Sequence, residues 1–233
     1  MATFLRHEPC TACGSRNNLG RYSDGGAFCF GCGYSERGDS RAVHSSEPVG
    51  DSIHLPDVST SFSPVVVAWL AQYDISVPEA LKWGWRYNAK DDQLIFPFYG
   101  QPNELLLYQA RNFSRKPKYY NKGSVADVLP IFSCGEPCTT LVVVEDCVSA
   151  AKIARINDAM PLLGSHLPAI KLMRLKGLYK GLVLWLDSDK LKEAREMETM
   201  ARFVGFDAKT IYTELDPKEY NVDEIRVHLN PER

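Results

Sequence analysis

The chain has 233 residues, 45% of them hydrophobic and 24% charged, with a formal net charge of −2, which is enough material for one sizeable core and a small satellite unit. Its longest apolar stretch, Val65–Ala71, is far shorter than the ~20 residues of a membrane-spanning helix. The near-zero charge excludes a general cationic coat, so any nucleic-acid contact must be local.

The first element in the chain is a cysteine module. Cys10 and Cys13, then Cys29 and Cys32, form two Cys-x-x-Cys pairs, each followed by glycine (Gly14, Gly33). That spacing predicts two knuckles on a small antiparallel ribbon, with four thiolates closing around structural Zn²⁺. So short a segment has too little core to fold alone, so the metal supplies its folding free energy. Of the residues beside the knuckles, Tyr22, Phe28 and Phe30 are expected to pack the ribbon itself ahead of stacking on bases. Seven cysteines, an odd count without a secretory apolar region at the start, argue against a disulfide framework and for a reducing, cytoplasmic compartment. Cys134, Cys138 and Cys147 read as plain thiols, and His166 as a turn or cap residue.

The ribbon is expected over 1–35 and a flexible tether, rich in Ser, Asp, Pro and Gly, over 36–63. A mixed α+β subdomain over 64–136 follows. It holds helices at Val65–Tyr73 and Pro78–Trp83 and strands at Gln93–Phe98 and Leu105–Ala110, joined through a Gly100/Pro102 turn. From 137 to 233 the rhythm changes to alternating strand and helix. Strands are expected at Thr140–Val144, Pro161–Leu163, Leu182–Leu186 and Lys209–Tyr212, and helices at Cys147–Asn157, Pro168–Leu175 and Leu191–Phe203. The continuous apolar runs at Leu141–Val144 and Leu182–Leu186 suit strands buried on both faces of a parallel sheet, so the fold class is α/β.

Ligands gather at the carboxyl ends of strands in such sheets, and the acids lie there. Glu145 follows one predicted strand, and Asp187 and Asp189, two residues apart, follow another. Three carboxylates in one crevice suit Mg²⁺ or Mn²⁺ and phosphoryl transfer. Their competing use is to cap the helices that follow. Asp216 is a weaker candidate ligand because Asp216-Pro217-Lys218-Glu219 is also a helix-start pattern.

Between Leu105 and Ala126 there are five cations, Arg111, Arg115, Lys116, Lys118 and Lys122, and no acid. Phe113, Tyr119 and Tyr120 interleave with them. This is a pattern for nucleotide or single-strand contact, although Pro117 and Gly123 also fit an exposed loop.

The run Pro9-Cys10-Thr11-Ala12-Cys13-Gly14 and the later Tyr22-Ser23-Asp24-Gly25-Gly26-Ala27-Phe28-Cys29-Phe30-Gly31-Cys32 resemble the zinc-binding domain of phage-type DNA primases. Arg111 through Asn121 resembles the basic stretch of the primase RNA-polymerase domain. Val144-Glu145 and Leu186-Asp187-Ser188-Asp189 resemble the two acidic motifs of the TOPRIM fold, and Asp216 to Tyr220 its late acidic segment. The resemblance spans the chain except the tether. It implies a TOPRIM-like parallel sheet with flanking helices and synthesis of short RNA primers on single-stranded DNA from ribonucleoside triphosphates. Glu145, Asp187 and Asp189 would hold catalytic Mg²⁺ or Mn²⁺, and Arg111, Lys118, Lys122 and Arg115 the nucleotide and DNA phosphates. A separate replicative helicase is the implied partner. The sequence departs from the family where Asp146 and Ser149 follow Glu145, and where Gly26 replaces a histidine. Two other classes fit the same motifs: a non-catalytic zinc/TOPRIM recombination mediator, in which zinc adjoins TOPRIM directly, and a TOPRIM nuclease.

Overall fold

The computed structural model describes residues 4–37, 53–100 and 102–230. Most of the expected tether, 38–52, lies outside them. Among the described residues the strands form three four-stranded sheets. The first is an antiparallel meander of β1 (Phe4–Glu8), β2 (Leu19–Tyr22), β3 (Ala27–Cys29) and β4 (Ser35–Glu36). Its core is little more than Cys10, Leu19, Ala27, Cys29 and Cys32. Phe28 and Phe30 do not fill it, contrary to expectation. They stay exposed and meet edge to face with ring centres 5.3 Å apart.

The second sheet is also an antiparallel meander: β5 (Arg86–Asn88), β6 (Gln93–Tyr99), β7 (Leu105–Asn112) and β8 (Tyr119–Gly123). Two short helices precede it, α1 (Pro64–Ala71) and α2 (Val77–Lys82). Each begins on a serine, Ser63 or Ser76, whose hydroxyl accepts an amide of the first turn. Leu94, Phe96 and Leu107 face the main core, while Ile95, Tyr108 and Ala110 face the other way. That second face is covered by Ile53, Leu55 and Val58, so the end of the segment expected to be a tether packs as part of the fold. The cationic block is likewise not all loop, since 119–123 forms the edge strand β8.

The third sheet is parallel throughout, in the order β10–β9–β11–β12, with β9 (Thr140–Val144), β10 (Ala159–Pro161), β11 (Gly181–Leu184) and β12 (Asp207–Thr210). Helices α3 (Cys147–Ile153), α4 (Ala169–Lys176) and α5 (Leu191–Val204) follow successive strands. Helix α3 ends earlier than the expected Asn157, and β10 sits two residues before the expected strand. Val142, Val144, Val183 and Trp185 join the core shared with the second sheet; Leu141, Val143, Leu182 and Leu184 pack against α4 and α5. Burial on both faces explains the unbroken apolar runs. A last helix, α6 (Val222–Leu229), was not expected from the sequence. No helix among the described residues is long and apolar enough to cross a membrane.

Candidate active site and metal centre

The carboxyl ends of β9 and β11 open into a cavity of about 840 Å³. Glu145 and Asp187 line it on the parallel-sheet side, Arg111 and Lys118 on the side of the antiparallel sheet. The 162–165 turn closes one edge, where the Asn121 side chain donates to the Leu163 carbonyl at 2.7 Å and ties β8 to it.

Asp187 is largely buried, and its Oδ1 atom has no hydrogen-bond partner. Burial pushes its carboxyl up to about 7; the Lys218 charge opposes this and the neighbouring Asp146 and Glu145 charges add to it. Burial also raises Glu145, against the pull of Lys190. Asp189 lies further out: it is exposed, pairs with Lys190 at 3.2 Å, and acts on Glu145 through its charge. The orphaned Asp187 oxygen and the neighbouring Glu145 carboxyl are hard-oxygen donors of the kind Mg²⁺ takes, but among the described residues no three of these acids bring ligand oxygens within 4.8 Å of one another.

Two acids serve the competing use. Asp146 caps α3, accepting the Val148 and Ser149 amides at 2.8 and 2.9 Å. Asp216 caps the short 217–219 turn and accepts the Ser188 amide at 3.2 Å. Between them lies Lys218, which sequence reasoning passed over. Its Nζ reaches Asp146 at 3.0 Å, Asp187 at 3.1 Å and Asp216 at 2.9 Å. Burial alone would lower the ammonium pKa, but these three carboxylates outweigh it and hold it well above the ordinary lysine value.

Across the cavity the Arg111 guanidinium sits in an aromatic cage, 4.1 Å from the Trp69 ring centre, 4.8 Å from Phe113 and 5.3 Å from Tyr119. Its Nε and Nη1 atoms are buried without acceptors. A desolvated cation with orphaned donors is built to receive an anion. The other two proposed phosphate ligands point elsewhere: Arg115 pairs with Asp91 at 3.2 Å, and Lys122 is exposed on β8 outside the cavity lining.

The four ribbon cysteines place their sulfurs within 4.8 Å of one another. Cys10 to Cys32 is 3.8 Å and Cys13 to Cys29 is 3.6 Å. A tetrahedron with ~2.3 Å zinc–sulfur bonds has edges of about 3.8 Å. Although burial opposes it, the amides of Cys32 and Gly31 hold the Cys29 thiol down at about 7. Four soft donors so spaced fit structural zinc. The ribbon rests on the cavity rim, with Asn18 Nδ2 3.4 Å from Ser165 Oγ and His166 against the Cys13 backbone. Cys134 and Cys138 also meet, at 3.3 Å, but their acidic neighbour Asp158 already accepts from Cys134 N and Tyr179 OH.

No protein-family model and no curated protein matches the sequence. Solved structures do match. The zinc-binding and RNA polymerase domains of Aquifex aeolicus primase superpose with a TM-score of 0.61 at 14% identity over 72% of this chain, which spans 56% of that one. The primase fragment of the bacteriophage T7 primase-helicase gives 0.53 at 15% identity, covering 97% of this chain and 98% of the fragment. The catalytic domain of a bacterial-type primase, DnaG, solved bound to single-stranded DNA, gives 0.55 at 14% identity, covering 72% of this chain and 73% of that one. The chain therefore has the fold of the zinc-binding and RNA polymerase domains of DNA primases.

Proposed function

We propose that this chain is a DNA primase of the phage type, which synthesises short RNA primers on single-stranded DNA. The observation that carries the reading is the facing of Glu145 and Asp187 against Arg111 and Lys118 across one cavity. In this reading residues 1–35 are the zinc ribbon, 64–136 the basic subdomain and 137–233 the TOPRIM catalytic subdomain. Glu145, Asp187 and Asp189 hold Mg²⁺ or Mn²⁺, which when bound supplies positive charge to the transferring phosphoryl group. Arg111 and Lys118 bind the triphosphate and orient it. Trp69 and Tyr119 give the cavity an aromatic wall beside the bound nucleotide. The 3′-hydroxyl of one ribonucleotide attacks the α-phosphorus of the next and loses its proton to water, a phosphodiester forms as the α–β phosphoanhydride bond breaks, and pyrophosphate leaves. The exposed Phe28 and Phe30 on the ribbon give unpaired template bases a stacking surface.

A TOPRIM nuclease would use the same acids, and a recombination mediator would bind without product. Incubation of the zinc-loaded chain with labelled ribonucleotides, Mg²⁺ or Mn²⁺ and single-stranded DNA of varied sequence separates the three. Short oligoribonucleotides are expected. Shortened DNA, or binding with no product, would overturn the primase reading.

A further inference from the structure

The Lys218 ammonium has three donors, and all three are used on carboxylates from three separate elements. Its side chain is only 16% exposed. Its backbone is fixed as well: the carbonyl oxygen accepts from the buried Lys152 Nζ at 3.0 Å, and Pro217 before it is buried. It is therefore a permanent part of the acidic centre and not a surface lysine that has drifted in.

Its presence changes which oxygens remain for a metal. Asp146 spends one oxygen on the α3 amides and the other on Lys218 and the Ser149 hydroxyl. Asp216 spends one on the Ser188 amide and the other on Lys218. What is left is Glu145, Oδ1 of Asp187 and one oxygen of the outlying Asp189, whose Oδ2 pairs with Lys190. Mg²⁺ keeps several waters and binds through one or two carboxylates, so this remainder suffices for one ion. A second ion at Asp146 and Asp216 would have to share the space with a fixed like charge.

We propose that Lys218 is a built-in cation that takes the place of a second divalent ion, so that the acidic centre binds one exchangeable Mg²⁺ or Mn²⁺. This rests on the metal role given to Glu145 and Asp187 above. It makes Lys218 a positioning residue for the centre, acting through Asp187 and its neighbours.

The test is Mn²⁺ binding to the zinc-loaded full chain, with zinc occupying the thiolates, followed by electron paramagnetic resonance of free Mn²⁺ and by calorimetry. One tight Mn²⁺ per chain is expected, lost in Asp187→Ala. Lys218→Met is expected to raise the number to two, and Lys218→Arg, which keeps the charge, to leave it at one. Two tight sites in the unaltered chain would overturn the proposal, as would a folded Lys218→Met protein that still binds one. If Lys218→Met does not fold, the count in the unaltered chain and in Lys218→Arg decides alone. One bound Mn²⁺ without primer synthesis would sink the polymerase reading and leave this inference standing; two ions with synthesis would do the reverse.

Discussion

The Arg111 guanidinium stacks on the Trp69 ring at 4.1 Å, and that stacking leaves its Nε and Nη1 buried with nothing to bond. An arginine so held is desolvated in advance and aimed by its cage, which lowers the ordering cost of taking up a phosphate. The cage comes from distant parts of the chain, with Trp69 on α1 and Tyr119 on β8.

Arg111→Lys should therefore weaken binding of ATP by roughly 10- to 100-fold, because a lysine keeps the charge but gives up one of the two fixed charge-assisted hydrogen bonds, worth about 1.5–3 kcal/mol. Trp69→Ala should weaken it by less, on the order of the ~0.5–2 kcal/mol of a cation–π contact. Calorimetric titration with ATP checks both, and unchanged affinity in Arg111→Lys would remove Arg111 from the site.

Asp187→Ala should abolish primer synthesis, a loss on the order of 100-fold or more, with the fold retained. Lys218 keeps Asp146 and Asp216 as partners in that variant. Gel analysis of labelled products, set beside a thermal melt, makes the measurement; full activity would contradict the metal assignment.

Removing zinc should unfold the ribbon and spare the two larger sheets, whose cores contain none of the ribbon residues. The unaltered chain should carry one zinc by elemental analysis and Cys29→Ser should lose it, and this variant should impair initiation on template more than extension of a supplied primer. Unchanged zinc content would count against the cluster.

Gly123 ends β8 at φ +110°, and a Cβ there would lie 2.4 Å from the Leu106 carbonyl oxygen. Gly123→Ala should cost more than about 1 kcal/mol and loosen the edge strand that carries Tyr119 and Asn121. A lowered urea midpoint with an unchanged slope is the expected result, and an unshifted midpoint the contrary one.

What was legible in the sequence follows from the range of the forces involved. Strand β9 was read to the residue, because burial on both faces leaves a bare apolar run that ends where Glu145 begins. The cysteine spacing was equally local. Strand β8 was obscured because an edge strand tolerates the lysines and tyrosines that read as loop. Helix α6 has its signal in the sequence, a capping box in which Asn221 and Glu224 bond each other's backbone, set directly after the similar Asp216–Glu219 box. Lys218 had little local signal, since only Asp216 is near it in sequence and its other partners, Asp187 and Asp146, lie 31 and 72 residues away. The same holds for Arg115, whose pairing with Asp91 depends on how two hairpins meet. Phe28 and Phe30 lie outside the ribbon core because the cysteines already fill its interior.

In the proposed reaction the acids and the caged arginine grip one and the same nucleotide. A double-mutant cycle on the binding of ATP with Mn²⁺, using Arg111→Gln, Asp187→Asn and the pair together, measures this most directly. Coupling of about 1 kcal/mol or more between the two positions is predicted, because each loss alone should already loosen the other's hold. Strictly additive losses would mean that the two sides of the cavity serve different ligands, and the shared site would be wrong.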